Sequence, residues 1–351
     1  MPDARFAPAL RLRVNALALT PDAARTVTDV TVTNESSALD QCTVTLANAY
    51  PAMRWTHTPE SALFDIGNRL TVELGYVGST QQLFDGDITV VQPDFPESGV
   101  PTVQITAHSR LYRLARGRCT RPFRNTTDAD IARQIANEAQ LTPDVEQTTT
   151  QYDQVMQHNL TNLEFLRGRA RLIGFEVRVE GDTLAFKPPD REQGPGISLE
   201  WGRTLRSFRP RIEPTAQVTR FSVRGWDEQS KQPIVGQAGT AEVDSTMGGA
   251  EPGTVLAGSF GDAQDVEVFP PPASQAEADD RAAARLNAIN DDTVVGEAAC
   301  VGSPDVRSGR VVELTGVGPR FSGSYYVRDA THSFGAGGYE TRFSVARSAV
   351  G

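Results

Sequence analysis

The chain has 351 residues, of which 39% are hydrophobic and 22% charged, a composition that excludes wholesale disorder and allows two or three domains with separate cores. Its formal net charge of −10 argues against a dedicated nucleic-acid surface. No apolar run approaches the ~20 residues needed to cross a bilayer. The N-terminus has neither the basic nor the apolar region of a secretory signal. We therefore expect synthesis and assembly in the cytoplasm, without direct membrane insertion.

Residues 1–122 have the pattern of a β domain. Leu70, Val72 and Leu74 alternate with polar residues, and Val103, Ile105 and Ala107 repeat the pattern. Turn-forming residues recur every ten to twenty positions. Short strands at this spacing favour a compact antiparallel barrel or sandwich, which hides strand edges.

Residues 123–190 change to a mixed pattern. Thr127 precedes acidic residues and an apolar helical face, as a helix start does. Thr161 and Glu164 form a capping-box pattern ahead of a second helix, which Gly174 ends. A predicted hairpin with its turn at 180–182 follows, so this segment is a small α+β insert.

Residues 191–351 return to strands, with three predicted near 311–315, 325–333 and 339–345. A long loop is expected over 236–275, and the Ser274 cap predicts a helix over 275–290. The predicted fold class is mixed α+β, mainly β, with two similar antiparallel β-barrel-like domains flanking the insert.

The chain lacks recognisable catalytic and metal-binding patterns. It has no G-x-S-x-G, H-E-x-x-H or P-loop sequence, and the glycines at Gly316 and Gly318 are followed by a strand without a lysine. Cys42, Cys119 and Cys300 are scattered, which argues against a disulfide framework or zinc site. The histidines also lack metal-ligand spacing: His57, His108, His158 and His332. We expect no enzyme activity, no catalytic or metal residues and no cofactor.

Six arginines fall within a stretch of fifteen residues that contains no acid. A solvated surface or intersubunit ion pairs would explain the cluster, and contact with an acidic partner or a channel wall is the alternative. The arginines are Arg110, Arg113, Arg116, Arg118, Arg121 and Arg124.

The residues at 316–327, Gly-Val-Gly-Pro-Arg-Phe-Ser-Gly-Ser-Tyr-Tyr-Val, lead to His332 and then to Gly-Gly-Tyr-Glu-Thr-Arg-Phe at 337–343. This run closely resembles the end of the late control gene D family. Those proteins are tail hubs of contractile phages and of phage-derived injection machines, related to the hub region of VgrG. Segments 84–88, 157–189 and 223–234 resemble earlier parts of the family in the same order. Asn162 departs from the pattern, since relatives often carry an acid there.

The family motifs place structural importance on a set of positions in this chain. They are Gly86, Glu164, Phe165, Leu166, Gly174, Gly225, Trp226, Asp227, Gly316, Gly318, Arg320, Phe321, Gly323, Tyr325, Tyr326 and His332.

The resemblance implies a homotrimeric ring that joins a hexameric tail tube to a trimeric spike. Its partners would be itself, the tube protein, the spike and other baseplate proteins. Because Gly351 follows the second β segment without a β-helix or lysozyme-like region, we expect the spike to be a separate polypeptide. The alternatives are a tail-associated cell-wall hydrolase and a carrier whose arginine cluster contacts an effector cargo.

Overall fold

The computed structural model describes residues 7–36, 38–47, 64–228 and 230–351. The fold is mainly β with a large antiparallel sheet, which confirms the predicted class. Apolar side chains alternate inward along its strands, as Cys42, Val44 and Leu46 do in the fourth strand. The first half of the chain contributes β1 (Pro8–Val14), β2 (Leu17–Ala18), α1 (Pro21–Thr26), β3 (Val27–Glu35), β4 (Gln41–Ala47), β5 (Arg69–Tyr76), β6 (Ser79–Asp94) and β7 (Thr102–Ser109).

A mixed unit with its own apolar core follows. Thr127 and Thr161 cap its two helices, with Asp130 and Glu164 completing the capping boxes, so both predicted helix starts are confirmed. Phe165 stacks on Phe123 in the core, with ring centroids 5.5 Å apart. The elements are β8 (Cys119–Thr126), α2 (Asp128–Glu138), β9 (Thr142–Val145), β10 (Tyr152–Leu160), α3 (Asn162–Leu172), β11 (Glu176–Glu180) and β12 (Thr183–Lys187).

The last part of the chain has two larger cores. The three strands predicted near the C-terminus are confirmed. The elements are β13 (Ile197–Glu200), β14 (Leu205–Ile212), β15 (Arg220–Asp227), β16 (Gln232–Ala238), β17 (Glu251–Pro252), α4 (Gly253–Gly258), β18 (Gln264–Glu267), α5 (Gln275–Asn290), β19 (Val294–Val301), β20 (Val311–Thr315), β21 (Gly323–Gly335), β22 (Gly338–Arg347) and β23 (Ala349–Val350). One core lies within the large sheet, and the other lies between helix α5 and the sheet of β15, β16 and β18.

The segment expected as one long loop over 236–275 is instead broken into short elements. The end of β16 lies so close to α5 that a Cβ on Gly236 would be 2.1 Å from the carbonyl oxygen of Ala278. Asn287 and Asn290 of α5 bind the backbone of Asp244 and Thr254. These polar contacts, rather than apolar periodicity, order the segment, which is why its sequence carries little pattern.

The two β halves repeat one topology. In the first, six strands lie in the order β3-β4-β7-β6-β5-β1, and in the second the order is β14-β19-β22-β21-β20-β13. Taken in chain order, these six strands correspond one to one. All corresponding pairs are antiparallel except the last, since β1 pairs antiparallel with β5 whereas β13 pairs parallel with β20.

Two register irregularities occur at equivalent places in both halves, one in the second strand of the repeat and one in the fifth. The first half has a further irregularity at Val72/Glu73, which has no counterpart in the β20–β21 ladder. The corresponding positions are Val27/Asp29 with Leu205/Ser207, and Ile88/Val90 with Val327/Asp329.

A glycine turn recurs beside the second irregularity. Gly67 N–H donates to Ile88 O, and Ile88 N–H donates to Asn68 O, both at 2.8 Å. In the second half Gly309 N–H donates to Val327 O at 2.8 Å, and Val327 N–H donates to the carbonyl after Gly309 at 2.9 Å. Both glycines have left-handed φ values of +92° and +81°, which disfavour other residues. The two halves are therefore structural duplicates.

Gly86 of β6 shows how tightly the first half is packed. A Cβ at this position would lie 2.2 Å from His108 O, a backbone atom that cannot move away freely. We expect Gly86→Ala to lower the free energy of unfolding by about 2–3 kcal/mol, measured by urea titration. Gly168→Ala is the matched control, because a Cβ there meets nothing within 4 Å and lies inside α3. It should raise stability by about 0.5–1 kcal/mol, and similar losses in both variants would contradict the packing argument.

Candidate assembly surface

The two β halves share one ladder. The C-terminal part of β21 pairs antiparallel with β3, from Asp329 opposite Glu35 to Phe334 opposite Val30. This pairing joins the halves into one 13-stranded sheet. Asp329 also accepts a hydrogen bond from Ser36 N–H at 3.2 Å. We call this the β21–β3 junction.

His332 lies in the middle of this junction and is fully buried. Its Nδ1 is 3.0 Å from both Tyr339 Oη and Thr341 Oγ1. Burial, assisted by the nearby Arg307, lowers the pKa of His332 to about 3. This histidine of the family motif is thus a neutral structural group, and it lies where β21 pairs with both β3 and β22.

The glycine-rich run before β21 forms a turn that is fixed to the strands around it. Gly316 and Gly318 have positive φ values, as does Gly323 at the start of β21. The Tyr325 hydroxyl donates to Phe321 O at 2.8 Å. The Arg320 side chain at the tip is exposed.

Tyr326 faces an open cleft of 1610 Å³ between the mixed unit and the second half. Its hydroxyl donates to Glu176 at 2.9 Å and receives a contact from Arg178. Arg191 and Asp291 form an ion pair in the same cleft. Burial raises the pKa of Asp291 to about 6, although Arg191 acts in the opposite direction. The charges of the cleft thus include two ion pairs, Arg191–Asp291 and Arg178–Glu176.

The remaining motif residues are distributed over the molecule and do not converge on one site. In the mixed unit, Phe165 and Leu166 are in the core, and Gly174 ends α3 against α5. Gly225 of β15 abuts Pro272, and Asp227 accepts hydrogen bonds from Ser230. The neighbouring Trp226 is 55% exposed.

Four of the six clustered arginines have partners within the chain. Asp87 receives contacts from Arg110 and Arg113, with nitrogen–oxygen distances of 3.4 and 3.1 Å. Arg118 binds Glu164 through both terminal nitrogens. Arg121 binds Glu138 and lies over the Phe123 ring. The side chains of Arg116, Arg118 and Arg124 are exposed, so a contact of the cluster with an acidic partner stays a prediction.

The sequence reasoning missed the apolar residues along one edge of the first half. Val90 is 43% exposed on β6, and Phe95 just beyond the strand is 58% exposed. Pro93 lies between them, and Pro210 lies within β14 of the second half. A proline inside a strand-like run is the signal that could have indicated edge strands, because proline donates no ladder hydrogen bond.

The described parts of the chain contain no group of three or more His, Cys, Asp or Glu side chains that could hold a metal ion. His57 lies outside the described residues. Burial raises the pKa of the Cys300 thiol to about 12, and the Cys42 thiol is likewise buried with a raised pKa. No helix among the described residues is long and apolar enough to span a membrane.

A family model described as the Alg8 N-terminal domain matches residues 9–335, which is most of the chain. The chain belongs to the Alg8 N-terminal domain family. The matching family is not the late control gene D family that the sequence motifs resemble, so that resemblance stays a prediction. A comparison of the chain with curated proteins finds no match.

Solved structures with this fold come from phage tails and a secretion system. The 43 kDa tail protein of prophage MuSo2 from Shewanella oneidensis is 13% identical, with a TM-score of 0.72 covering 98% of this chain and 100% of that one. A tail protein from Neisseria meningitidis MC58 is 11% identical, with a TM-score of 0.66 and 97% coverage of both chains. The E. coli c3393 protein is 13% identical, with a TM-score of 0.61 covering 96% and 76%. Its description is a type VI secretion system component similar to T4 bacteriophage tail proteins gp27 and gp5. The chain therefore shares the fold of these tail and secretion-system proteins.

Proposed function

We propose that the chain is a structural hub protein of a contractile tail or contractile injection system. In this role it forms a homotrimeric ring that joins the hexameric tail tube to a separate trimeric spike. The tube protein, the spike and other baseplate proteins are its partners, and it works within the assembled particle. The late control gene D motifs at 316–343 support the same assignment.

The observation that carries this proposal is the duplication of the β half within one subunit. Three copies of a chain with two equivalent halves present six similar surfaces to a six-fold tube. The same three copies present a three-fold surface to a spike. A protein with a single β half could not match both symmetries through equivalent contacts. The tail-protein fold of the neighbours agrees with this role.

The oligomeric state tests the proposal. Mass photometry should find a particle of three times the 38.0 kDa protomer mass, and electron microscopy should show a ring. Addition of the cognate tube protein should cap one face of the ring. A stable monomer that ignores both tube and spike proteins would overturn the hub assignment.

We also propose that the chain is not an enzyme. Several charges in the 1610 Å³ cleft are paired with one another, namely Arg191 with Asp291, Arg178 with Glu176 and Lys187 with Asp144. This argues against the cell-wall hydrolase alternative. We expect no loss of turbidity when purified protein is added to bacterial cell walls, with lysozyme as the positive control. Clearing of the suspension by the protein alone would establish an enzymatic role.

A further inference from the structure

The β21–β3 junction supplies a template for contacts between copies of the chain. By the duplication, β6 of the first half corresponds to β21, and β14 of the second half corresponds to β3. The shared irregularities fix the correspondence residue by residue: Val90 matches Asp329, and Phe208 matches Val30. Within the described part of one chain β21 pairs with β3, whereas β6 and β14 do not pair with each other.

The corresponding edges of β6 and β14 are open. Beyond Ile88, β6 pairs with β7 on one side, and the described residues supply no strand on the other. β14 pairs with β19 on one side, and on the other the described residues supply only an isolated bridge between Leu205 and Trp201. Unpaired strand edges are templates for pairing with another chain.

We propose that the open edge of β6 in one copy pairs antiparallel with the open edge of β14 in the next copy, repeating the β21–β3 junction between subunits. This inference rests on the proposed ring. Applied around three subunits, the operation alternates internal and intersubunit junctions. A heterologous contact of this kind gives either a closed ring or an open filament, and the proposed ring requires the closed form. Transferring the register places Val91 opposite Ile212, Asp94 opposite Arg209 and Phe95 opposite Phe208.

The chemistry of the two edges agrees with this register. On the core-facing side, Val91 and Phe95 meet Ile212 and Phe208, which would cover the exposed Phe95 ring. On the opposite side, the exposed carboxylate of Asp94 meets the exposed guanidinium of Arg209. Opposite charges directly across an antiparallel pair are stabilising. In the same register Gln92 falls opposite Arg211 and the exposed Val90 opposite Glu213, so the agreement comes from Val91, Asp94 and Phe95.

Two prolines modify the copied ladder. Pro93 and Pro210 fall opposite each other, at the positions of His332 and Val32 in the internal junction. Ser36 N–H donates to Arg328 O at 3.2 Å, and bonded pairs alternate along an antiparallel ladder, so the His332–Val32 position is a bonded one. Proline has no N–H to donate there. Each proline ring also occupies the space in which the partner's carbonyl oxygen would accept, so the intersubunit ladder is interrupted at this pair and its bonded pairs lie on either side, at Val91–Ile212 and Phe95–Phe208. The same prolines protect free subunits from indiscriminate edge pairing.

Disulfide trapping tests the register. Asp94 and Arg209 fall at a non-bonded pair, where side chains approach most closely. In a Cys119→Ser background, Asp94→Cys combined with Arg209→Cys should give dimers and trimers on non-reducing gels after mild oxidation. Asp94→Cys with Arg211→Cys, displaced by two residues, is the matched control and should remain largely monomeric. Equal cross-linking of both variants, or none of the first, would overturn the register.

Charge exchange provides a second test that needs no cysteine. Asp94→Arg or Arg209→Asp alone should raise the concentration at which the trimer dissociates by about tenfold, and the double exchange should restore it. Unchanged dissociation in both single variants would reject the edge pairing. A wild-type trimer without trapping or charge effects would reject this interface and leave the hub assignment intact, whereas a wild-type monomer would reject the hub assignment itself.

Discussion

Replacing Arg281 with methionine is expected to lower the free energy of unfolding by about 3–5 kcal/mol. The Arg281 side chain is 1% exposed on α5, and its guanidinium lies 2.5 Å from Glu267 and 3.5 Å from Glu277. It also donates to Pro270 O at 2.8 Å. Methionine preserves much of the apolar stem but leaves two buried carboxylates without this cation. Urea titration at pH 7 measures the loss.

Arg285→Met is the matched control, because Arg285 lies on the same helix and binds the same carboxylate. It is 2.7 Å from Glu267, but its side chain is 34% exposed. Water can therefore replace much of its contribution, and we expect a loss of no more than about 1 kcal/mol. Equal losses in the two variants would mean that burial of Arg281 does not determine its contribution.

Acid should destabilise the protein through His332. In the unfolded chain this imidazole takes up a proton below its ordinary pKa of 6.5, whereas in the folded chain its pKa is about 3. Between these values the unfolded state binds more protons, so stability falls as the pH is lowered. A shift of this size corresponds to about 4–5 kcal/mol, lost progressively from about pH 6.5 to pH 3.

The variant His332→Gln isolates this contribution because glutamine does not titrate. At pH 7.5 we expect the variant to be less stable than the parent by about 1–2 kcal/mol, since contacts with Tyr339 and Thr341 are altered. Near pH 4 the order should reverse. Urea titrations at both pH values measure the difference, and a constant difference would show that His332 does not sense acid.

The local helices and strands could be predicted from the sequence. The capping box at Thr161 and Glu164 and the alternation along β20 to β22 depend on neighbours a few residues apart, so their patterns are readable in one chain. Alternation indicates which face of a strand is buried, but it does not specify the neighbouring strand. The β21–β3 junction therefore had no signal, since Ser36 and Asp329 are 293 positions apart.

The candidate assembly surface was harder to predict, because the role of its residues depends on side chains that are close in the fold but distant in the sequence. Two similar β domains were predicted, but their residue-by-residue correspondence was not, since equivalent positions such as Gly86 and Tyr325 share no residue type. Arg281 lies beside an apolar helix face, and its burial depends on Glu267 in β18, a strand too short for periodicity. The ion pairs of the clustered arginines could not be predicted for the same reason, because Asp87 and Glu138 lie on other elements.

The late arrival of β21 has a consequence for synthesis. At about 5–20 residues per second, the ribosome needs roughly 15–60 s to add the stretch that separates Ser36 from its partner Asp329. Throughout that interval the outer edge of β3 has no native strand beside it. Nascent chains translated close together on one message could therefore pair through β3. Chaperone demand should be highest before residue 335 has left the exit tunnel.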